Sequence, residues 1–395
     1  MRQSGVAGTT KGVRMDSALL AKLKAWRHHL HAHPELSQQE SETSAFVAAC
    51  LGELGVPFAS GVGGRGIVAT LRRGTTARSV GLRADMDALP IAELNDVAHV
   101  SRSSGIMHAC GHDGHTVSLL GAAAVLSRDP DWQGTVQLIF QPAEENGAGA
   151  KAMIADGLFE RFPMERIFGF HNWPGLEAGV VAVHDGPVMA AGGRWTVTLH
   201  GLAGHAAKPH LTRDPITAAG HLIVALQTVV ARSVDPMESV VLSIGSIHGG
   251  SVSNQIPHEV TLNGTLRTYR PEVRAMVVER MKSLIDGVAL GFGMRAEYEI
   301  LSTGRATINS PAEAELAVAA ARAAGLPVRR DVKPSTAGDD FSFLIQDKPG
   351  AYVWIGNGLV GQDGDLHNAR YDFNDAILPA SVSWMSTVAK LALAE

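Results

Sequence analysis

The sequence predicts an α/β protein in which a mostly parallel sheet lies between helices, plus an inserted α+β satellite domain. Three observations lead there. Short β-rich runs such as VGLRA (80–84) and TVQLIF (135–140) alternate with helical patterns, as in a sheet covered on both faces. Near Pro187 the texture changes to strands of alternating polarity, as in WTVTLHG (195–201). After about Tyr298 the first texture returns. The expected division is 15–186 and 299–395 for the two parts of the main domain and 187–298 for the insertion.

Each element has its own warrant. Residues 16–31 place Leu19, Leu20, Leu23, Trp26 and Leu30 on one side of a helix, with Asp16 or Ser17 as its cap. Pro34 stops that helix, and a second is expected from about Ser41 to Glu53. β-rich runs follow at 66–71, 80–84, 135–140 and 167–171, with helical patterns at 113–127 and 147–156. In the insertion, strands are expected at 195–201, 240–247 and 259–269, interleaved with helices at about 213–232 and 271–290. The last segment reads as a helix (311–324), a strand (352–356) and a final helix (379–394). The N-terminal MRQSGVAGTTKGVRMDS has no hydrophobic core and reads as a loose tail, not a signal peptide.

With 395 residues, 45% hydrophobic and 18% charged, the chain is long enough for two domains. Its net charge of −5, without a basic run, argues against nucleic acid or an anionic membrane as partner. No apolar segment is expected to reach membrane-spanning length. Two cysteines make no disulfide framework in a chain of this size. Cys50, on the apolar pattern FVAACLGELG, reads as a core residue. The cytoplasm is the expected compartment, where a reduced Cys110 is available as a thiolate.

Residues capable of chemistry gather at five places. MHACGHDGHT (107–116) packs three histidines, a cysteine and an aspartate into ten positions. Cys110 and His112, two apart, do not share a helix face, so they reach one point only from a loop or a helix entry. Open α/β sheets place their sites outside the carboxyl ends of the strands. The other four places read as such ends: Asp85 and Asp87 after VGLRA, Glu144 and Glu145 after TVQLIF, His171 closing IFGFH, and His367 after the last strand. The adjacent carboxylates Glu144 and Glu145 point in diverging directions. One can bind a metal while its neighbour takes a proton from a nucleophilic water, the two tasks of metal-assisted hydrolysis. On the residues alone, a solvated acidic turn, a polar helix start, and Cys110 as a nucleophile with a histidine base all stay open.

In this order, MHACGHDGHT, FQPAEENGAGA, FGFHNWPG, AGHAAKPH and LHNARYDFND resemble the signature of the aminoacylase-type metallopeptidases, peptidase family M20. The branch resembled is the amidohydrolase subfamily of hippurate hydrolases, N-acyl-amino-acid amidohydrolases and auxin–amino-acid conjugate hydrolases. The similarity runs from HAHPELSQQE (31–40) to FNDAILP (373–379). It implies a dinuclear-metal amidohydrolase that cleaves an N-acyl amino acid to a carboxylic acid and a free amino acid. A dipeptidase or carboxypeptidase of the same family, or a deacetylase of an amino-acid biosynthetic intermediate, is the alternative.

By the same resemblance, Cys110 bridges two divalent metal ions per subunit, His112, Glu145, His171 and His367 complete the ligands, and Glu144 is the general base. Mn²⁺ or Zn²⁺ is expected, and Co²⁺ or Ni²⁺ suits the same donors. In the insertion, His205 matches a histidine that stabilises the oxyanion, often across a dimer interface. Asn254 and Arg267 match residues that bind the substrate's carboxylate. The implied partners are a small-molecule substrate and a second copy, in a homodimer or homotetramer with the insertion as dimerisation or lid domain.

The chain departs from the family pattern at AAGGRW, where an acidic residue is common, and at Asp339-Asp340-Phe341, where Glu-Asp-Phe is. Neither stretch is expected to touch the predicted ligands. Asp85 and Asp87 stand where other branches carry a His-x-Asp ligand motif. Without that histidine they read as groups that orient ligands, and His108, Asp113 and His115 are candidates for the same work. HHLHAHPELS (28–37) holds four histidines in six positions but straddles a helix end, so no convergence on a metal is expected.

Overall fold

A computed structural model describes residues 15–359, 361 and 364–395, so most of the expected N-terminal tail lies outside the described residues. The chain divides into two compact units. One runs to Val188 and resumes at Ile308–Lys333 and Asp339–Glu395; the other comprises Met189–Thr307 and Pro334–Gly338.

The first unit is built on an eight-stranded sheet. Its first strands in the chain are β1 (Phe58–Val62), β2 (Gly66–Arg73), β3 (Ser79–Asp85), β4 (Gly134–Gln141) and β5 (Arg166–Pro174). β1 and β2 form an antiparallel edge beside β4, and β4, β3, β5 and Gly350–Gly358 run parallel through the middle. Val181–Val183 and Val328–Arg329 close the far edge. β3 is buried at every position, as a strand covered on both faces must be. The covering helices include α1 (Ser17–Ala32), α2 (Ser41–Glu53) and α3 (His112–Arg128). Asp16 caps α1, its Oδ1 accepting the Leu19 N–H at 2.6 Å. α3 buries Val117, Leu119, Leu120 and Leu126 completely, because α1 and the C-terminal helix Leu378–Ala394 pack on it. Cys50 is buried in the same core. The length of β5 corrects one expectation: His171 lies inside the strand rather than at its end.

The second unit is a four-stranded antiparallel sheet in the order Val240–His248, Glu259–Thr268, Ala191–His200, Arg295–Ser302. Helices Pro215–Thr228 and Pro271–Gly291 cover it, burying Val197, Leu199, Leu222, Leu262 and Met281. The strand Arg295–Ser302 was not expected, and it crosses the boundary placed at 298. Its alternation is visible in hindsight: Ala296, Tyr298 and Ile300 pack on the core, while Arg295, Glu297 and Glu299 come between them.

A second correction concerns length and composition. By these alone, two helical segments among the described residues, Pro215–Ser233 and Asp375–Ala394, are long and apolar enough to cross a membrane. In the latter, 67% of the apolar window is buried, the mark of a core helix.

Candidate active site

The site begins with a glycine. Gly111 separates Cys110 from His112 and has φ = 88°. A Cβ there would fall 2.3 Å from Asn172 Oδ1 and 2.6 Å from the Tyr371 hydroxyl. Only glycine meets both demands, and the resulting turn aims Cys110 and the first residue of α3, His112, into one region.

Five residues predicted as a set are brought together there. Cys110 Sγ lies 3.4 Å from His171 Nε2. Glu145 Oε1 lies 3.8 Å from His112 Nε2 and 3.6 Å from His367 Nε2. Two sets of three donors share the thiol: Cys110, His112, His171, and Cys110, Glu145, His367. Within each set the donor atoms lie within 4.8 Å of one another. His367 is the exposed member and takes φ = 61°, unusual for a residue with a side chain; its N–H donates to Ala109 O at 2.8 Å.

Hydrogen bonds on the far side of two rings set their direction. His112 Nδ1 donates to Asp87 O at 2.9 Å and His171 Nδ1 to Asn172 O at 2.6 Å, turning Nε2 of each inward, that of His171 toward the Cys110 thiol. His112 Nε2 and Glu145 Oε1 are buried without a hydrogen-bond partner. Native structures rarely leave such atoms unpaired. Burial and the Glu145 carboxylate hold the Cys110 thiol well above its ordinary pKa. Burial, against the pull of His112, pushes Glu145 up to about 7. Burial and Asp339 hold Glu144 well above the carboxylate range. Burial thus disfavours the charged form of each of these acidic groups unless a positive charge stands beside it. Divalent cations would supply the missing charge, and thiolate, imidazole and carboxylate are fitting donors.

Glu144 and Glu145 sit on the turn between β4 and α4 (Gly149–Ala155), and three carboxylates hold its backbone. Ala143, with φ = 54°, donates its N–H to Glu40 Oε1 at 2.7 Å. Glu144 and Glu145 donate theirs to Asp87 Oδ1 and Oδ2 at 3.1 and 3.0 Å. Ala150 donates to Asp340 Oδ2 at 2.9 Å. Asp85 is committed to other partners, although its Oδ2 lies 3.8 Å from His112 Nε2: Arg83 Nη1 and His115 Nδ1 both lie 2.6 Å from its oxygens, and His115 Nε2 meets Asn172 Oδ1 at 2.6 Å. Asp85, His112 and His115 also form a close donor set, but both Asp85 oxygens are engaged by Arg83 and His115.

Sequence reasoning missed Glu40 and Arg83, and it set Asp339-Asp340 apart from the predicted ligands. Asp340 meets the expected general base rather than a ligand: its N–H donates to Glu144 Oε1 at 3.3 Å. The histidine run divides. His31 is buried, with Nδ1 2.8 Å from Asp113 Oδ2 and Nε2 3.1 Å from Glu93, while His29 and His33 lie ring against ring. His108 is buried with neither ring nitrogen hydrogen-bonded.

In the second unit His205 and Asn254 are neighbours. Gly204–His205 pairs antiparallel with Gln255–Ile256, and Ala206 N–H donates to Asn254 O at 3.0 Å. His205 is exposed, and its Nδ1 accepts the Ala207 N–H at 3.0 Å. Arg267 stands on Glu259–Thr268, and its Nη1 donates to Leu266 O at 3.0 Å.

The profile of peptidase family M20/M25/M40 matches residues 81–390. N-acetyl-L-cysteine deacetylase of Bacillus subtilis is 41% identical over 367 residues, 92% of this chain and 87% of that protein. Hippurate hydrolase of Campylobacter jejuni is 37% identical over 369 residues, 93% and 94% of the two chains. Among solved structures, a dinuclear metal-binding peptidase of the M20 family from Bacillus subtilis matches with a TM-score of 0.86 and 32% identity, covering 96% of this chain and 99% of that one.

Proposed function

This chain belongs to peptidase family M20/M25/M40, and from that premise we propose that it hydrolyses N-acyl amino acids to a carboxylic acid and a free amino acid, using two divalent metal ions per subunit. The observation that carries the reading is one buried thiol shared by two donor sets. Cys110, His112 and His171 would hold one ion, and Cys110, Glu145 and His367 the other, with Mn²⁺ or Zn²⁺ the best fit and Co²⁺ or Ni²⁺ compatible. Bound there, the ions polarise the amide carbonyl and make a nearby water more acidic.

The remaining work falls to the chain's own groups. Glu144 takes the proton of the attacking water and returns it to the leaving nitrogen, a contribution of ~10²–10⁴ in rate. His205 donates to the developing oxyanion, and Asn254 and Arg267 hold the substrate's carboxylate. The helical segment Pro215–Ser233, apolar but with only 28% of its apolar window buried, supports a homodimer through the second unit. The activities for which the two relatives are named, deacetylation of N-acetyl-L-cysteine and hydrolysis of hippurate, support the substrate class.

A metal-loaded sample tested on N-acetyl, N-benzoyl and N-indoleacetyl amino acids against dipeptides decides it. Turnover of the N-acyl compounds is expected, lost on chelation and restored by Mn²⁺. Turnover of dipeptides alone would replace this reading with a dipeptidase. Activity indifferent to chelation would return Cys110 to the role of nucleophile.

A further inference from the structure

Asp340 is 4% exposed and stands outside both donor sets that share Cys110. Its side chain is fully committed. Oδ1 accepts Gln141 Nε2 at 2.7 Å and Arg83 Nη2 at 2.9 Å, and Oδ2 accepts the Ala150 N–H at 2.9 Å. Gln141 ends β4 and Ala150 lies in the first turn of α4, so one carboxylate ties both ends of the turn that carries Glu144. The Asp340 main-chain N–H then donates to Glu144 Oε1 at 3.3 Å.

We propose that Asp340 is a positioning residue for Glu144, anchored by Arg83, a role that rests on Glu144 being the general base. Arg83 is 1% exposed and donates to Gln141 Oε1 at 2.9 Å and Asp85 Oδ2 at 2.6 Å, besides Asp340. The guanidinium therefore joins the strand end before Glu144 to the aspartate that meets His115. Asp339, Asp340 and Glu144 lie close enough to suggest a third cation site. The donors argue against it. Asp340 already accepts three hydrogen bonds, and Asp339 accepts the Tyr352 hydroxyl at 2.5 Å and the Phe341 N–H at 2.8 Å. What these carboxylates do is fix a loop. With Oε1 of Glu144 held by the Asp340 N–H, the other carboxylate oxygen is left to take the proton.

The test uses the metal-loaded enzyme and Asp340→Asn, which keeps shape but cannot accept from the Gln141, Arg83 and Ala150 donors together. Turnover, KM and metal content are measured in the wild-type and Glu144→Asp backgrounds. Misplacement of a catalytic group predicts a fall in kcat of about 10- to 100-fold, with KM changed less than about 3-fold and metal content unchanged. Where Glu144→Asp has already withdrawn the carboxylate, the same change should cost less than about 3-fold. Equal losses in both backgrounds, or metal lost in step with kcat, would make Asp340 merely structural and overturn the proposal. Wild-type kcat in Asp340→Asn beside an inactive Glu144→Ala would overturn this inference alone. Wild-type kcat in Glu144→Ala would overturn the general base, and the inference with it.

Discussion

Cys110 Sγ lies 3.4 Å from His171 Nε2, joining the entrance of α3 to the interior of β5 across 61 positions of sequence. Because the same thiol also stands with Glu145 and His367, its removal should affect both donor sets. Cys110→Ala is expected to fail to hold the metal pair. Cys110→Asp should be the mildest change, since a carboxylate can also span two ions. Elemental analysis of the purified variants checks this. Two metals and normal turnover in Cys110→Ala would remove Cys110 from the ligands.

Adjacent glutamates should fail for different reasons. Glu145→Ala is expected to lower bound metal from about two ions toward one. Glu144→Ala should leave metal content unchanged and lower kcat by ~10²–10⁴. Metal lost from Glu144→Ala and kept by Glu145→Ala would reverse the roles.

Gly111→Ala should disable the site without touching a donor. The new methyl meets Asn172 Oδ1 and the Tyr371 hydroxyl, at a φ that side chains avoid. Both neighbours are buried, so Cys110 and His112 must move. The expected outcome is loss of at least one metal, together with a midpoint of thermal unfolding lowered by several degrees. A variant with full metal content and wild-type turnover would show that this turn tolerates a side chain.

His31 carries a pH-dependent share of stability. Burial pulls its pKa down, but hydrogen bonds to Asp113 and Glu93 win and push it up to about 10 from 6.5. A group raised on folding stabilises fully below its unfolded pKa and loses that contribution as pH rises through the folded one. His31→Gln should therefore cost about 3 kcal/mol near pH 6, the scale of a broken buried pair, and progressively less between pH 6.5 and 10. Denaturant unfolding of both proteins across that window measures it. A difference that stays constant or grows with pH would contradict the charged state assigned to His31.

His205→Ala should lower kcat by about 10²–10³, the usual loss of one oxyanion donor, with metal content unchanged. If the histidine serves the partner's site in a dimer, mixing it with Glu144→Ala under subunit exchange should restore up to about a quarter of wild-type activity. No recovery from verified mixed dimers would restrict His205 to its own chain.

Much of this protein was legible one residue type at a time. Alternating strand and helix patterns carried the α/β class, since the periods of 2 and 3.6 are written locally. Groups capable of chemistry stood out near expected strand ends and a helix entry, while the choice of Cys110, His112, Glu145, His171 and His367 as one ligand set came from the resemblance to peptidase family M20. Tertiary structure alone decided which groups hold them. Ala143 finds Glu40 across 103 positions and Arg83 finds Asp340 across 257. No period links such pairs. They arise because a buried N–H, carboxylate or guanidinium is costly unless it meets a partner, and which partner is near depends on how the sheet is ordered. The strand order that sets β3 between β4 and β5 brings Arg83, Gln141 and His171 into one neighbourhood. The sequence determined what chemistry was available, and the packing of the parallel strands determined which atoms face one another to perform it.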